Sequence, residues 1–258
     1  MCLACITLHA SILPTVHLEP AALKAFQDYV ARFENSVAVR FYSSGKMWID
    51  ESGKRAQFEQ GKPVVEQRQS GEVANGTASI HHFSGAIRVN GATIENIRRV
   101  MQDYGNYPKY FKPDIGQGSG TLQPDSNPAD EHYRTHLTLT QSTAWMNVIY
   151  DSLYDTHYRR VGPGLWTSKS TSLNLKELKD AKDPSQGTYP EGDDHGFLWR
   201  TNTYWFVRER DGGLDLEADS MTLSRPVPLG MGWWGTKRTR DAVDKMLRDT
   251  KAAIEGLH

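Results

Sequence analysis

The chain predicts an α+β fold, a curved antiparallel sheet closed over by a long C-terminal helix, and three stretches of sequence carry that reading. From residue 132 to residue 225, apolar and polar side chains alternate in short segments divided by turn-forming residues, as in antiparallel strands with one buried face. After Thr239 the spacing changes: Val243, Leu247, Thr250, Ile254 and Leu257 form one helical stripe, with the helix ending near Glu255. Between Ser79 and Gly118 a β-prone run passes through Asn90-Gly91 into a short helix and an aromatic turn, a unit suited to gripping the open side of such a sheet.

Residues 1–18 are mildly apolar, lack a basic leading segment and contain His9, Pro14 and His17. They read either as the remains of a secretory leader or as a disordered N-terminus. Cys2 and Cys5 both fall there, so neither a disulfide framework nor a cysteine-based zinc site is expected in the fold. Residues 19–75 form an N-terminal helical and β extension. Its helix runs from Pro20 to Glu34 with Leu23, Phe26, Val30 and Phe33 on one face; short strands follow, among them Met47-Trp48-Ile49 and Val64-Val65, and Gly71 to Gly76 reads as a linker.

The main domain is expected over residues 76–258. In its first unit Ile94, Ile97, Met101 and Tyr104 recur at helical spacing, with Thr93 placed to cap the helix and Gly105 to end it. Tyr107, Tyr110 and Phe111 follow, either as a cavity wall or lid or as ordinary core packing. Residues 117–131 read as a loop around a short strand. Strands are expected around Tyr133–Leu139, Met146–Tyr150, Tyr154–Val161 and Leu165–Leu178, then a polar loop over 180–194. The last hairpin runs from Phe197 to Arg225 about Asp211-Gly212-Gly213. Alternation sets Trp199, Thr201, Thr203 and Trp205 on one face of its first strand, and Leu214, Leu216, Ala218 and Ser220 against Asp215, Glu217 and Asp219 on its second. Glu217 and Arg200 are the polar pair expected across it. Lys237, Arg238 and Arg240 open the closing helix, as a solvated basic cluster or as a seat for an anionic group.

Thirty basic and 31 acidic residues nearly cancel, so no global attraction to nucleic acid or anionic membrane is expected. The Tyr158-Arg159-Arg160 cluster is too isolated to alter this. No run reaches the roughly 18–20 apolar residues that span a bilayer. The expected product is soluble and monomeric, in the cytoplasm, or exported if a leader is truncated, with at most transient membrane contact. Mean hydropathy is −0.59 despite 7 Trp, 11 Tyr and 8 Phe, so aromatic rings carry much of the packing.

Two segments resemble a little-characterised bacterial branch of the START-like, or Bet v 1-like (SRPBCC), superfamily: His81 to Ala86 through Asp103 to Pro108, and Asp194 to Arg200 through Tyr204-Trp205. The resemblance spans about residues 76–256 and implies a helix-grip fold with a cavity between sheet and final helix, used for lipids, sterols, polyketides or other apolar molecules. It implies no catalytic residues. The signatures of serine hydrolases, P-loop and dinucleotide proteins and zinc proteases are lacking. The leading expectation is a binding or transport module for a small hydrophobic or amphipathic ligand, without cofactor or metal. Tyr107, Tyr110, Phe111, Tyr158, Trp199, Arg200, Tyr204, Trp205 and Glu217 are the candidate ligand contacts. The gate would comprise residues 104–118, 180–194 and 230–235. The alternative is a cyclase or aromatase with a proton relay drawn from His195, Glu217, Arg200, Tyr204 or Tyr158. A metal held by His81 or His82 with Asp194 and His195 matches no recognised spacing, and a filled interior would point instead to a protein-interaction domain.

Overall fold

The computed structural model describes residues 14–142, 147–226 and 232–257. His9, Cys2, Cys5, most of the leader segment, Met146 and the first part of the 230–235 gate lie outside the described residues. In chain order the elements are β1 (Val16–His17), α1 (Pro20–Val37), α2 (Arg55–Glu59), β2 (Val64–Val73), β3 (Ala78–Asn90), α3 (Ile94–Gln102) and α4 (Tyr107–Tyr110). There follow β4 (Ile115–Leu122), β5 (Asp130–Ser142), β6 (Asn147–Gly162), β7 (Leu165–Glu177), β8 (Asp193–Asp194), β9 (Arg200–Arg210), β10 (Gly213–Ser224) and α5 (Gly232–Glu255).

Eight strands make one curved, open antiparallel sheet in the order β2-β3-β10-β9-β7-β6-β5-β4, and β1 pairs separately with β8. Asp211 and Gly212, both at positive φ, form the tight turn that sets the β9–β10 register. Helix α5 packs on β2, β3 and β10 beside α3 and α4, the helix-grip arrangement. Its Val243, Leu247, Ala253 and Ile254 join Phe83, Ile87, Val89, Leu214, Leu216 and Ala218 in one core cluster. The helix comes close because Gly85 has no side chain: a Cβ there would stand 2.7 Å from Leu247 and 2.9 Å from Val243.

The opposite face is covered too. Phe26, Phe41, Met47, Trp48, Ile49 and Phe58 from the N-terminal segment pack against Ile80, Ala86, Phe206, Met221 and Leu223 of the sheet. The sheet is therefore the middle layer of three.

Several local expectations are corrected. Val64–Val73 is the edge strand of the main sheet, paired with β3, and residues 74–76 are a tight turn between the two strands. Met47-Trp48-Ile49 is not a strand: Trp48–Asp50 is a 3₁₀ turn whose first N–H is taken by a carboxylate, so no ladder is needed. Gly116, Gly118 and Gly120 belong to strand β4. Bare backbone at Gly120 lets the Tyr104 ring lie on the strand, where a Cβ would be 2.2 Å from the ring. Helix α3 ends at Gln102, ahead of Gly105, and its start is fixed by Asn96, whose Oδ1 accepts from the Thr93 N–H at 2.8 Å. Helix α5 starts at Gly232, so Thr239 lies inside it, and Lys237 pairs with Asp241 at 2.7 Å.

Gly85→Val is expected to destabilise the fold by about 1–3 kcal/mol through overpacking against α5. Leu247→Ala in the same chain should recover part of that loss, measured by urea unfolding of the two single variants and the double; strict additivity would show that the two positions do not press on each other.

Candidate functional site

Strand alternation and register decide which side chains face α5. Along β6 these are Tyr158, Thr156, Tyr154 and Ser152; along β7, Trp166, Ser168, Ser170 and Ser172; along β9, Trp205, Thr203 and Thr201; along β10, Ala218, Ser220 and Thr222; and along β3, Gly85, Phe83 and His81. The face divides in two. Towards the β9–β10 turn it is aromatic and aliphatic, and away from it nearly every position carries a hydroxyl.

The aromatic half is solid. Tyr158 stacks on Trp166 at 5.4 Å, and beside them Tyr104 packs tilted on Tyr107, which meets Phe111 edge to face. Tyr107 and Tyr158 each donate to the Met101 carbonyl, at 2.6 and 2.8 Å. The Tyr158 proton being committed there, Tyr104 donates to Tyr158 Oη at 2.6 Å. Burial raises all three phenols, Tyr104 to about 12 and the other two further, so they act only as neutral hydrogen-bonding groups. The 104–111 part of the expected gate is thus locked core. Tyr110 lies at its rim, donating to Asp103 at 2.6 Å.

The hydroxyl half is different. Thr135 donates to Thr156 at 3.2 Å, Thr156 and Ser170 share a hydrogen bond of 3.1 Å, and Ser172 Oγ accepts the Thr201 N–H at 3.0 Å. Ser170, Thr201, Thr203, Ser220 and Thr222 are only half-buried although they sit on central strands, on the α5 side of the sheet. His81 stands at the edge of this floor, its Nδ1 3.0 Å from Ser70 Oγ, and burial lowers its pKa and favours the neutral ring.

A second polar group flanks the floor. The β-bulge between Leu153 and Tyr154 shifts the β7 register, so Leu175 and Glu177 stand opposite Ser152 and Tyr150 and face inward. Glu177 Oε1 is 2.5 Å from His195 Nδ1, and its Oε2 accepts the His195 N–H at 3.2 Å; both side chains are buried. Next to it, Asp194 accepts from the Gly196 N–H at 2.6 Å and from Trp199 Nε1 at 3.1 Å, while burial pushes its carboxyl up to about 6. Glu177 was not singled out in the sequence. The one signal pointing to it is the break of alternation after Ser172, where a polar run becomes Leu-Asn-Leu.

The sheet separates the remaining predicted contacts from this face. Trp199 precedes β9, escapes its alternation and packs with Tyr204 in the N-terminal core. Tyr204 donates to Glu34 at 2.6 Å. Arg200 pairs with Glu191 at 2.8 Å, not with Glu217. Glu217 is fully buried, receives Arg40 Nη2 at 2.6 Å and accepts the Trp48 N–H at 2.5 Å. Of the nine, Tyr107, Phe111, Tyr158 and Trp205 share the α5-side core cluster, with Tyr110 packed against it. The suggested histidine metal group does not assemble: among the described residues neither His81 nor His82 comes within ligand reach of Asp194 and His195 together, and His82 lies 2.9 Å from Asp219 and 2.8 Å from Tyr29 Oη, on the other face. A groove of about 320 Å³ beside Ala92, Arg210 and Gly212 lies at the turn end, away from the hydroxyls, and is lined by turn backbone and already paired charges.

Among known proteins, no family model matches the chain and no curated relative does. Solved structures of similar shape include a STAR-related lipid transfer protein fragment from Xanthomonas axonopodis, 16% identical over 72% of this chain and 98% of that one, TM-score 0.48. In overall fold the chain is similar to START-domain proteins. Human STARD10 is 11% identical over 80% of this chain and 78% of its own, TM-score 0.45. The Zhui aromatase/cyclase from a Streptomyces species is 10% identical over 68% and 94%, TM-score 0.41.

Burial, with Asp219 nearby, pushes the Glu217 carboxyl up from 4.5 to about 7, against the pull of Arg40. A carboxyl raised in the folded state contributes stability that is complete below 4.5 and lost as pH rises through about 7. Unfolding free energy should therefore fall by about 1–3 kcal/mol over that window, and Glu217→Gln should flatten the fall. An identical slope in wild type and variant, by denaturant titration across pH, would assign the loss to other groups.

Proposed function

We propose that the α5-side face of the sheet binds a small amphipathic molecule, its apolar part against Trp205 and the neighbouring rings and its polar groups on the hydroxyl floor. The observation that carries this reading is the row Ser170, Thr203 and Ser220, half-buried on three adjacent central strands on the side the helix covers. A face filled by the protein's own packing would carry apolar side chains there, because a buried hydroxyl without a partner costs about 1–3 kcal/mol. Hydroxyls left partly open instead offer donors and acceptors to something that is not part of the chain. Lipid-like and polyketide-like molecules, with an apolar body and a few oxygens, match that division. The floor carries no cluster of basic side chains, which speaks against a nucleic acid, and the molecule would work as a carrier in monomeric form.

The His195–Glu177 pair favours a second reading, a cyclase-like enzyme. A buried imidazole whose Nδ1 is held by a carboxylate is fixed in tautomer and orientation, and its Nε2 can then take or give a proton. His195→Gln would abolish turnover of a reactive ligand under this reading and leave affinity nearly unchanged under the first.

Native mass spectrometry of protein purified from its own host is expected to show a bound small molecule. Ser170→Ala combined with Thr203→Val removes two hydroxyls worth about 0.5–1.5 kcal/mol each and should weaken retention about tenfold. Of the candidate contacts Trp199 and Trp205, Trp205 is the one on this face. Titration with 1-anilinonaphthalene-8-sulfonate should change emission in the Trp199→Phe variant about as much as in wild type and clearly less in Trp205→Phe, where Trp166 is the remaining described reporter on this face; a change lost in Trp199→Phe and kept in Trp205→Phe would place the binding site in the other layer.

A further inference from the structure

Strands β5 and β6 present a second constellation on the face turned away from α5. His132 and His157 stand directly opposite each other across the two strands, and Asp155, two residues before His157, points to the same side. The two imidazoles are stacked, with centroids 4.2 Å apart and planes within 10°. His132 Nε2 is 2.8 Å from Asp155 Oδ1, and His157 Nε2 is 3.4 Å from Asp155 Oδ2. The three groups' ligand atoms all lie within 4.8 Å of one another.

What surrounds them is as informative as the triad. His132 Nδ1 is 2.7 Å from Asp125 and His157 Nδ1 is 2.9 Å from Asp130. A carboxylate at each Nδ1 orients the ring with Nε2 facing inward, the outer-shell arrangement of metal-binding histidines. Without an ion, a proton on Nε2 makes the contact with Asp155, and a bound cation would replace that proton while drawing on the same convergent nitrogen and carboxylate atoms. Arg134 reaches Asp155 at 3.3 Å and Arg159 reaches Asp130 at 2.6 Å, so two guanidinium groups offset only two of the three carboxylates.

We infer that His132, His157 and Asp155 form a binding site for a divalent transition-metal ion of the zinc class. Imidazole and carboxylate suit that class, and metal–ligand bonds of about 2.0–2.2 Å place ligand atoms roughly 3.3 Å apart around a tetrahedral ion. The observed 2.8 and 3.4 Å spacings need only small side-chain rotations. Three protein ligands leave one position for water, and the part-exposed triad gives the ion a path from solvent. Any proton carried on an Nε2 passes to bulk water as the ion takes the lone pair. The bound ion would pin β5 to β6 independently of the ligand floor on the other face.

The test uses the full, tag-free chain carrying Cys2→Ser and Cys5→Ser, stripped with chelator and titrated with zinc chloride in a calorimeter. One zinc per chain is expected. Asp155→Asn and His157→Gln should each weaken binding at least tenfold, while His136→Gln, which alters the neighbouring His136–Asp151 pair, should leave it unchanged. Circular dichroism of each variant checks the fold. Cobalt(II) in place of zinc should give a visible absorption band that both triad variants lose. Absence of zinc binding, or equal affinity in wild type and both triad variants, would overturn the assignment. Either result stands apart from the amphiphile reading, which concerns the opposite face.

Discussion

Strand β10 places Asp215, Glu217 and Asp219 side by side on one face, and all three are buried. An uncompensated charge in that position costs about 3–5 kcal/mol, so the strand can occupy the middle of the sheet only if partners are brought to it. They come from three directions. Arg88, Arg208 and Arg210 surround Asp215; Arg40 and the Trp48 backbone meet Glu217; His82 and Ser84 reach Asp219. Arg40 and Trp48 belong to the N-terminal segment, so that layer is part of the electrostatic completion of the sheet. The buried side chains of Phe41, Met47 and Phe58 then seal the network from water.

With one face committed in this way, the other is free to specialise. Gly85 lets α5 settle onto β3 and β10, where Leu247 and Val243 fill the space a side chain would take. The tyrosines of α4 and the turn before it close the remaining gap at the β9–β10 end, bound to one another and to the Met101 carbonyl. Beyond that plug the strands turn to serine and threonine. The face therefore combines a rigid, well-packed end that holds the curvature with an end whose hydroxyls are only half-buried.

Much of the architecture was legible in the chain. Period-two runs gave β5, β6, β7, β9 and β10 but not the two-residue β8, which falls in the stretch expected as a polar loop; period-3.6 runs gave α1, α3 and most of α5, and Asp211-Gly212 marked the tight turn. The grip of the closing helix on the sheet followed from the unit around residues 79–118. Less of the site was legible, and the losses have specific causes. Trp199 falls outside the β9 alternation because the strand begins only at Arg200. Arg200 and Glu217 were joined because opposite charges on a hairpin attract, yet Glu217 had a partner 177 positions away. The hydroxyl run of β7 carries no site signal by itself, because a serine reads alike on a solvent face and on a partly covered one.

The sequence by itself determined which side chains share a face, since backbone geometry fixes that within a few residues. Only the tertiary structure decided what covers each face: an ionic N-terminal layer over the acids of β10, a helix over Gly85, and only partial cover over Ser170, Thr203 and Ser220. Local periodicity is set by bond angles and sterics, whereas the neutralisation of a buried charge or the filling of a volume depends on residues brought together by the whole fold.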